Sequence, residues 1–224
     1  ESTPLSNPYW QYSRDKIACE QVLMEEYRKS GFPCTIVRPS YTYGKTMIPF
    51  IFNSREYRWT LVDRIRKGKK IIVPGDGTSL WTLTHNTDFA KGFTGLIGNL
   101  QSIGHAFHIT SDEVLTWDQI AYIIGDAVGA KPNIIHIPSE FIGVFSPEHI
   151  GGLLGDKSVS VIFDNSKIKR FVPGFTATVP FSEGIKGTVD WYESNPDRCA
   201  VDEEFTKLCD RIITAYEGAI RDGS

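Results

Sequence analysis

The 224-residue sequence has no uninterrupted apolar run longer than a few positions, far short of the ~20 residues a membrane-spanning helix needs. Its four cysteines, Cys19, Cys34, Cys199 and Cys209, form no CxxC pair and no metal-ligand spacing, which argues against a zinc site or a disulfide framework. Asn-x-Ser/Thr acceptor sites are also missing, and with the unpaired cysteine pattern this points to a reduced, cytoplasmic setting. The polar N-terminus carries no signal-peptide pattern and no initiator Met, so the sequence is expected to begin downstream of the native start. Charge of one sign is not in excess either. A net charge of −3 and a pI near 6.0 supply no global field for nucleic acid or an anionic membrane. There is no internal repeat, no low-complexity stretch, no nucleophile elbow and no GxGxxG. The run Gly151-Gly-Leu-Leu-Gly155-Asp-Lys157 has Asp where a phosphate loop requires adjacent Gly-Lys, and is rejected as one.

What is there is ordinary globular material, 41% hydrophobic and 23% charged. Ile17, Ala18, Val22, Leu23 and Tyr27 recur at helical spacing between Pro8 and Ser30, with Gly31 as the stop. Thr35 to Pro39 then reads as a short buried strand, and Ser40 to Gly44 as the loop at its C-terminal end. Phe50 to Lys67 is expected to be helical. Ile71 to Val73 is a strand before the turn Pro74-Gly-Asp-Gly77, and Trp81 to His85 alternates as another. Thr87 or Asp88 caps a helix to Leu96. Strands at 106–109, 134–137 and 159–163, and helices at 117–128, from Ser139, at 183–192 and at 202–216, complete the chain. Strands alternating with helices indicate α/β. His105 and His108, three apart on a strand, face opposite ways, and no metal site is expected.

Tyr12-x-x-x-Lys16 places a phenol and an ammonium one helical turn apart on one face. A tyrosine ordinarily titrates at about 10 and a nearby cation favours its phenolate, so such a pair can exchange a proton with a substrate hydroxyl or carbonyl. The spacing is cheap, because Tyr41 to Lys45 matches it too. Only Tyr12 and Lys16 lie on a helix feeding a buried strand, whereas the second match contains Gly44 and comes after a proline-ended strand.

The order of motifs is more specific than any one of them. Glu1-Ser-Thr-Pro-Leu-Ser-Asn-Pro, Tyr12-x-x-x-Lys16, Glu20, Gly31, Val37-Arg38-Pro39, Tyr43-Gly44, Pro74-Gly-Asp-Gly77 and His85-Asn-Thr-Asp88-Phe-Ala90 succeed one another. Together they resemble the middle of an extended short-chain dehydrogenase/reductase of the NAD-dependent epimerase/dehydratase family, in motif detail over 1–111 and in general layout beyond. The resemblance implies the C-terminal part of a doubly wound, Rossmann-like parallel sheet with a smaller α/β substrate domain. Residues 1–44 and 85–111 would belong to the dinucleotide-binding part, and 45–84 and 112–224 to the substrate-binding part. It implies Tyr12 as acid/base, with Lys16 bound to cofactor ribose. Pro39, Ser40, Tyr41 and Thr42 would lie beside the nicotinamide of NAD or NADP, and Tyr43, Trp81 and His85 would face a sugar or related hydroxyl or carbonyl substrate. A homodimer through the family's helices is a further expectation, although no face of the Tyr12 helix is assigned to it. Arg38 is balanced between a structural ion pair and a functional role, and Asp88 is most simply a helix cap.

Two departures qualify that likeness. The family's glycine-rich loop, ribose-reading acid and third catalytic hydroxyl should precede Tyr12 and are not in this sequence. The expectation is a C-terminal portion of a longer enzyme, with the missing N-terminal segment as its partner. Nucleotide-sugar enzymes of the family also carry an arginine shortly after the GDG turn. Trp81 stands there instead, and an indole cannot neutralise a diphosphate. Either another basic residue serves, or the substrate is not a nucleotide sugar. Two alternatives remain: an inactive C-terminal fragment, or a non-catalytic nucleotide- or RNA-binding protein of the same fold. The second would use the basic run Arg64-Ile-Arg66-Lys67-Gly-Lys69-Lys70. At a helix end, such a run more often complements the helix dipole and stays solvated.

Overall fold

A computed structural model describes residues 6–223. The stretch Glu1 to Leu5, where the ordered motifs begin, lies outside the described residues, as does Ser224.

The Tyr12 helix, α1, spans Gln11–Ser30 and not Pro8 onward. The Asn7 carboxamide oxygen accepts the N–H groups of Tyr9 and Trp10 at 3.1 and 3.0 Å, holding this segment in a local turn that competes with helix. Gly31, at φ 74°, stops the helix in left-handed backbone. Strand β1 (Ile36–Pro39) pairs in parallel with β6 (Ala106–Ile109). The expected loop 40–44 is largely a second strand, β2 (Tyr41–Tyr43), because its backbone finds a parallel partner in β5 (Leu83–His85). Strand β3 (Lys70–Pro74) pairs in parallel with β8 (Asn133–Ile137), and β4 (Leu80–Trp81) antiparallel with β7 (Leu115–Thr116). The expected single strand 81–85 is therefore two short ones serving different neighbours.

Helix α2 covers only Thr60–Arg66. Residues 51–54 before it are continuously buried, without helical periodicity. Polar side chains there satisfy backbone locally: Asn53 Nδ2 donates to the Arg58 carbonyl at 2.9 Å, and Ser54 Oγ accepts the Tyr57 N–H at 3.1 Å. Helix α3 (Asn86–Leu96) is capped by His85, ahead of the expected Thr87 or Asp88. Helices α4 (Trp117–Val128), α5 (Ser139–Phe145), α6 (Pro147–Gly152), α7 (Ser166–Phe171), α8 (Phe181–Glu193) and α9 (Glu203–Asp222) come next. Residues 159–163 are not a strand: Val161 donates one bond to the Leu80 carbonyl at 2.9 Å, and no ladder forms.

Two apolar clusters hold these elements. The larger joins β3, α4, α8 and α9 through residues such as Ile72, Trp117, Ile120, Ile185 and Ile212. The smaller packs Phe107 and Ile109 of β6 against Leu96, Ile168 and Phe175. A boundary at 111 would cut this second cluster, because Ile168 and Phe175 come from the far side of it. Each buried Ile or Phe contributes about 1.5–3 kcal/mol. Helix α1 draws on none of this, having no buried residue. Only Ser13, Ile17, Glu20, Met24 and Tyr27, one helical face, are half-buried. No helix of the described residues is long and apolar enough to cross a membrane.

Candidate active site

Polar clamping holds α1 where burial does not. Arg38, at the end of β1, donates Nε to Glu20 Oε2 at 2.9 Å, and its Nη2 also pairs with Glu20 Oε1. This two-point pair fixes α1 against the end of β1. Arg38 is thus a structural ion pair, and one that positions the catalytic candidates. Tyr12 and Lys16 project from α1 into a cavity of about 750 Å³ whose opposite wall includes Pro39, Ser40 and Tyr41. The Lys16 ammonium lies 5.5 Å from the centre of the Tyr12 ring. Tyr12 is 56% exposed and its ring rests on Trp10, centroids 5.0 Å apart. The second Tyr-x-x-x-Lys match is not on a helix: Tyr41 is in β2 and Lys45 in an exposed turn.

Ser40 Oγ is 3.0 Å from Thr84 Oγ1, which ties the loop after β1 to β5. Thr42 does not join the cavity wall; its hydroxyl is buried without a partner among the described residues. Tyr43 also departs from the expected substrate wall. It is 1% exposed, with edge-on contacts to His85 and Phe181, both at 5.3 Å. Its hydroxyl lies over Gly184 of α8, where an added Cβ would come within 2.1 Å. Burial, with Glu113 and Asp88 adding to it, raises its pKa well above the usual tyrosine value, so it stays neutral. His85 does not line this cavity. Its Nδ1 accepts the Thr87 N–H at 3.4 Å as the α3 cap, and burial lowers its pKa. Asp88 is therefore free of capping: its carboxylate accepts Thr178 and Val179 N–H groups at 3.0 and 2.8 Å and pairs with Lys91 at 2.6 Å.

Trp81 does reach the cavity. It is 4% exposed, stacks on Trp117 at 5.9 Å, and leaves Nε1 buried without a partner among the described residues. Above it sits a residue to which the sequence alone assigns no role. The Lys157 ammonium lies 5.8 Å from the Trp81 ring centre, 5.2 Å from Tyr41 and 5.6 Å from Trp10, and pairs with Asp156 at 2.5 Å. It closes the π-helical turn Leu153–Lys157, a conformation frequent at functional sites. Trp10 is another such residue. Its ring packs on Gly151, where an added Cβ would stand 2.4 Å from Cδ1, and its Cβ faces Gly155 in the same way at 3.0 Å. The glycines of the rejected phosphate loop thus make room for an indole, and their four-residue spacing is the one signal of it in the sequence.

A second cavity of about 350 Å³ shares Trp10, Tyr12, Tyr41 and Lys157 with the first and continues to Arg55 and Arg58; His85 does not line it either. The basic run 64–70, by contrast, is neutralised internally. Arg64, 2% exposed, pairs with Asp210 at 2.7 Å, Lys67 with Asp63 at 2.8 Å, and Lys69 with Asp210 at 3.2 Å. Arg66 pairs with Glu193 and Lys70 with Glu217. Among the described residues no group of three or more His, Cys, Asp or Glu is placed to hold a metal ion.

A dinucleotide can be tested against these residues. The large cavity offers a tyrosine, a lysine and the open loop after β1, which fit a nicotinamide and its ribose. A pyrophosphate needs a glycine turn between a strand and a helix N-terminus. The glycines with positive φ are Gly31, Gly68, Gly75, Gly77, Gly98, Gly104 and Gly129, and none makes that connection. The described residues fit one end of the cofactor only.

Against known proteins, the model of the NAD dependent epimerase/dehydratase family matches residues 1–110. The chloroplast stem-loop binding protein of 41 kDa b of Arabidopsis thaliana is 31% identical over 130 residues, covering 57% of this chain and 32% of that protein. A dTDP-glucose 4,6-dehydratase of an Actinoplanes species is 25% identical over 195 residues, covering 87% and 54%. The solved dTDP-glucose 4,6-dehydratase of Bacillus anthracis, in complex with NAD, superposes with a TM-score of 0.66 at 22% identity, covering 88% of this chain and 56% of that one. The fold is that of the Rossmann-type α/β enzymes. The chain spans about a third to a half of the length of these curated relatives.

Proposed function

We propose, from the match of residues 1–110 to the model of the NAD dependent epimerase/dehydratase family, that this chain carries the proton-transfer and substrate-facing half of such an enzyme. The observation that carries the reading is the convergence of Tyr12, Lys16 and the Pro39–Tyr41 segment, where β1 passes into β2, on one cavity. NAD or NADP, when bound, supplies the redox centre through its nicotinamide ring. The chain's own residues do the rest. Tyr12 Oη accepts or returns the proton of a substrate hydroxyl. Lys16, one turn on, holds positive charge beside that phenol and binds the nicotinamide ribose. The loop after β1 seats the ring, and Trp10 and Trp81 keep water from it. The substrate is a sugar or a related hydroxyl or carbonyl compound. Residues 1–44 and 85–111, with the 164–180 stretch packed on them, form the cofactor side; the remainder roofs the substrate. The pyrophosphate end is held by a preceding segment of the full-length protein.

Cofactor titration of the full-length protein, monitored by tryptophan fluorescence, tests this. Lys16→Met is expected to weaken NAD(P) binding about tenfold or more, one lost charge-assisted hydrogen bond being worth about 1.5–3 kcal/mol. Unchanged affinity would remove Lys16, and with it the reading, from the cofactor site.

The likeness to a stem-loop binding protein favours a second reading, an RNA-binding protein on this fold. The contact surface expected for it, 64–70, is tied up in ion pairs. Replacing Lys69 and Lys70 by Ala is therefore expected to leave RNA retention at low salt unchanged. A clear loss of salt-sensitive retention would revive that surface and the second reading with it.

A further inference from the structure

We propose that Thr84 is a positioning residue that fixes the Ser40 hydroxyl as a hydrogen-bond donor into the large cavity, where it takes the carboxamide oxygen of the nicotinamide. The role of Thr84 rests on the reading of that cavity as the nicotinamide end of a cofactor site, and adds a residue that no motif in the chain marks.

The direction of each hydroxyl follows from what its neighbours leave open. A hydroxyl has one hydrogen to donate and two lone pairs to accept with. Thr84, in the middle of β5, is 0% exposed, so water does not serve it. Its Oγ1 accepts the Ser111 N–H at 2.9 Å, which leaves its own hydrogen to be placed. Ser40 Oγ, at 3.0 Å, is within reach. Thr42, the register partner of Thr84 on β2, does not compete, because its hydroxyl has no partner among the described residues. Buried polar hydrogens are rarely left unpaired, so Thr84 donates to Ser40. That contact occupies a lone pair of Ser40 Oγ and turns the Ser40 hydrogen away from β5. Ser40 is half-buried and borders the cavity that Tyr12 and Lys16 enter. Its hydrogen therefore serves a ligand.

The groups behind Thr84 are fixed in turn. Asn165, 4% exposed, donates Nδ2 to the carbonyls of Thr110 and Ser111 at 2.9 and 3.3 Å, and its Oδ1 accepts the Thr110 N–H at 3.3 Å. The Ser111 N–H that orients Thr84 thus belongs to a peptide held from α7's N-terminal flank. The Ser40 carbonyl accepts the Thr42 N–H at 3.0 Å, so the backbone that carries the hydroxyl is also set. An uncharged donor in a fixed direction suits an uncharged oxygen acceptor. The carboxamide of a nicotinamide supplies one, and a bond to it sets the rotation of the ring relative to Tyr12 without adding charge beside Lys16.

Titration calorimetry of the full-length protein tests this with NAD, NADP and the thionicotinamide analogue of whichever binds more tightly. Ser40→Ala and Thr84→Val should each weaken cofactor binding about threefold to tenfold, the worth of one neutral hydrogen bond. Thr84→Ser keeps the hydroxyl and should bind like the unaltered protein. The double variant Ser40→Ala/Thr84→Val should bind no more weakly than Ser40→Ala, because Thr84 acts through Ser40. The thioamide accepts hydrogen bonds poorly, so Ser40→Ala should change its affinity little. Four results overturn the proposal: unchanged affinity in Ser40→Ala, fully additive effects of the two substitutions, Thr84→Ser as weak as Thr84→Val, or equal weakening of the thioamide. Lys16→Met keeps the failures apart. If it weakens cofactor binding while Ser40→Ala does not, the cofactor site stands and the hydroxyl's part in it falls. If neither cofactor binds the unaltered protein, both fall.

Discussion

Replacing Glu20 by Gln removes the charge that holds α1 to β1 while keeping the side chain's shape. The pair it breaks has side-chain exposures of 22% for Arg38 and 16% for Glu20, and two N–H groups of Arg38 engage the two carboxylate oxygens. Exposed pairs are worth about 0–1 kcal/mol, whereas removing one partner of a fully buried pair costs about 3–5 kcal/mol. A pair four-fifths buried falls between, so a loss of about 1–3 kcal/mol is expected. The effect should be concentrated in α1, because that helix has no buried residue to hold it otherwise. Urea unfolding monitored by tryptophan fluorescence gives the global loss, and amide hydrogen exchange shows whether α1 opens first. The double variant Glu20→Gln/Arg38→Met completes a cycle whose coupling energy isolates the pair. A coupling below about 0.3 kcal/mol, or exchange in α1 no faster than in the unaltered protein, would refute the claim that this clamp positions Tyr12 and Lys16.

Other consequences concern the roof and the acid limb of stability. Gly151→Val drives a branched side chain into the Trp10 ring, and a loss of about 1–3 kcal/mol with a shifted tryptophan emission is expected; an unchanged spectrum and melting temperature would show that Trp10 does not sit there. Burial alone would raise the Asp88 pKa, but Lys91 and the Val179 and Thr178 N–H groups outweigh it and hold the carboxyl below its ordinary value. With the folded pKa depressed, its contribution is complete above the unfolded value of about 3.9 and is lost as pH falls through the folded one. Asp88→Asn should therefore cost about 1–3 kcal/mol at pH 7 and flatten the fall in stability below pH ~4. Parallel pH profiles for the two proteins would contradict that assignment.

Much of the site is readable in the sequence because its carriers are local. Tyr12 and Lys16 are four residues apart on one helix, and Gly31, Arg38 and Pro39 punctuate the turn and strand after it, so chain order alone places them. Trp10 and Lys157 are not readable in that way. They meet across more than half the length of the chain, and neither lies in a spacing with chemical meaning. Where local reading fails, side chains have captured backbone groups: Asn7 delays α1, and Asn53 and Ser54 keep 50–59 out of helix. Tyr43 and His85 are expected on the substrate only because the family resemblance implies it. Packing against Phe181 and capping of α3 claim them instead. Apart from Lys67, which pairs with nearby Asp63, the basic run looks free because its acidic partners Asp210, Glu193 and Glu217 lie more than a hundred residues away.

The most direct test of the account is turnover by the Tyr12→Phe variant of the full-length protein, measured together with its NAD(P) affinity. The phenylalanine keeps the ring on Trp10 and removes only the proton-carrying oxygen. Loss of turnover by about 10²–10⁴-fold with cofactor binding preserved is the predicted result, in line with the usual contribution of a general acid or base. Turnover equal to that of the unaltered protein would contradict it.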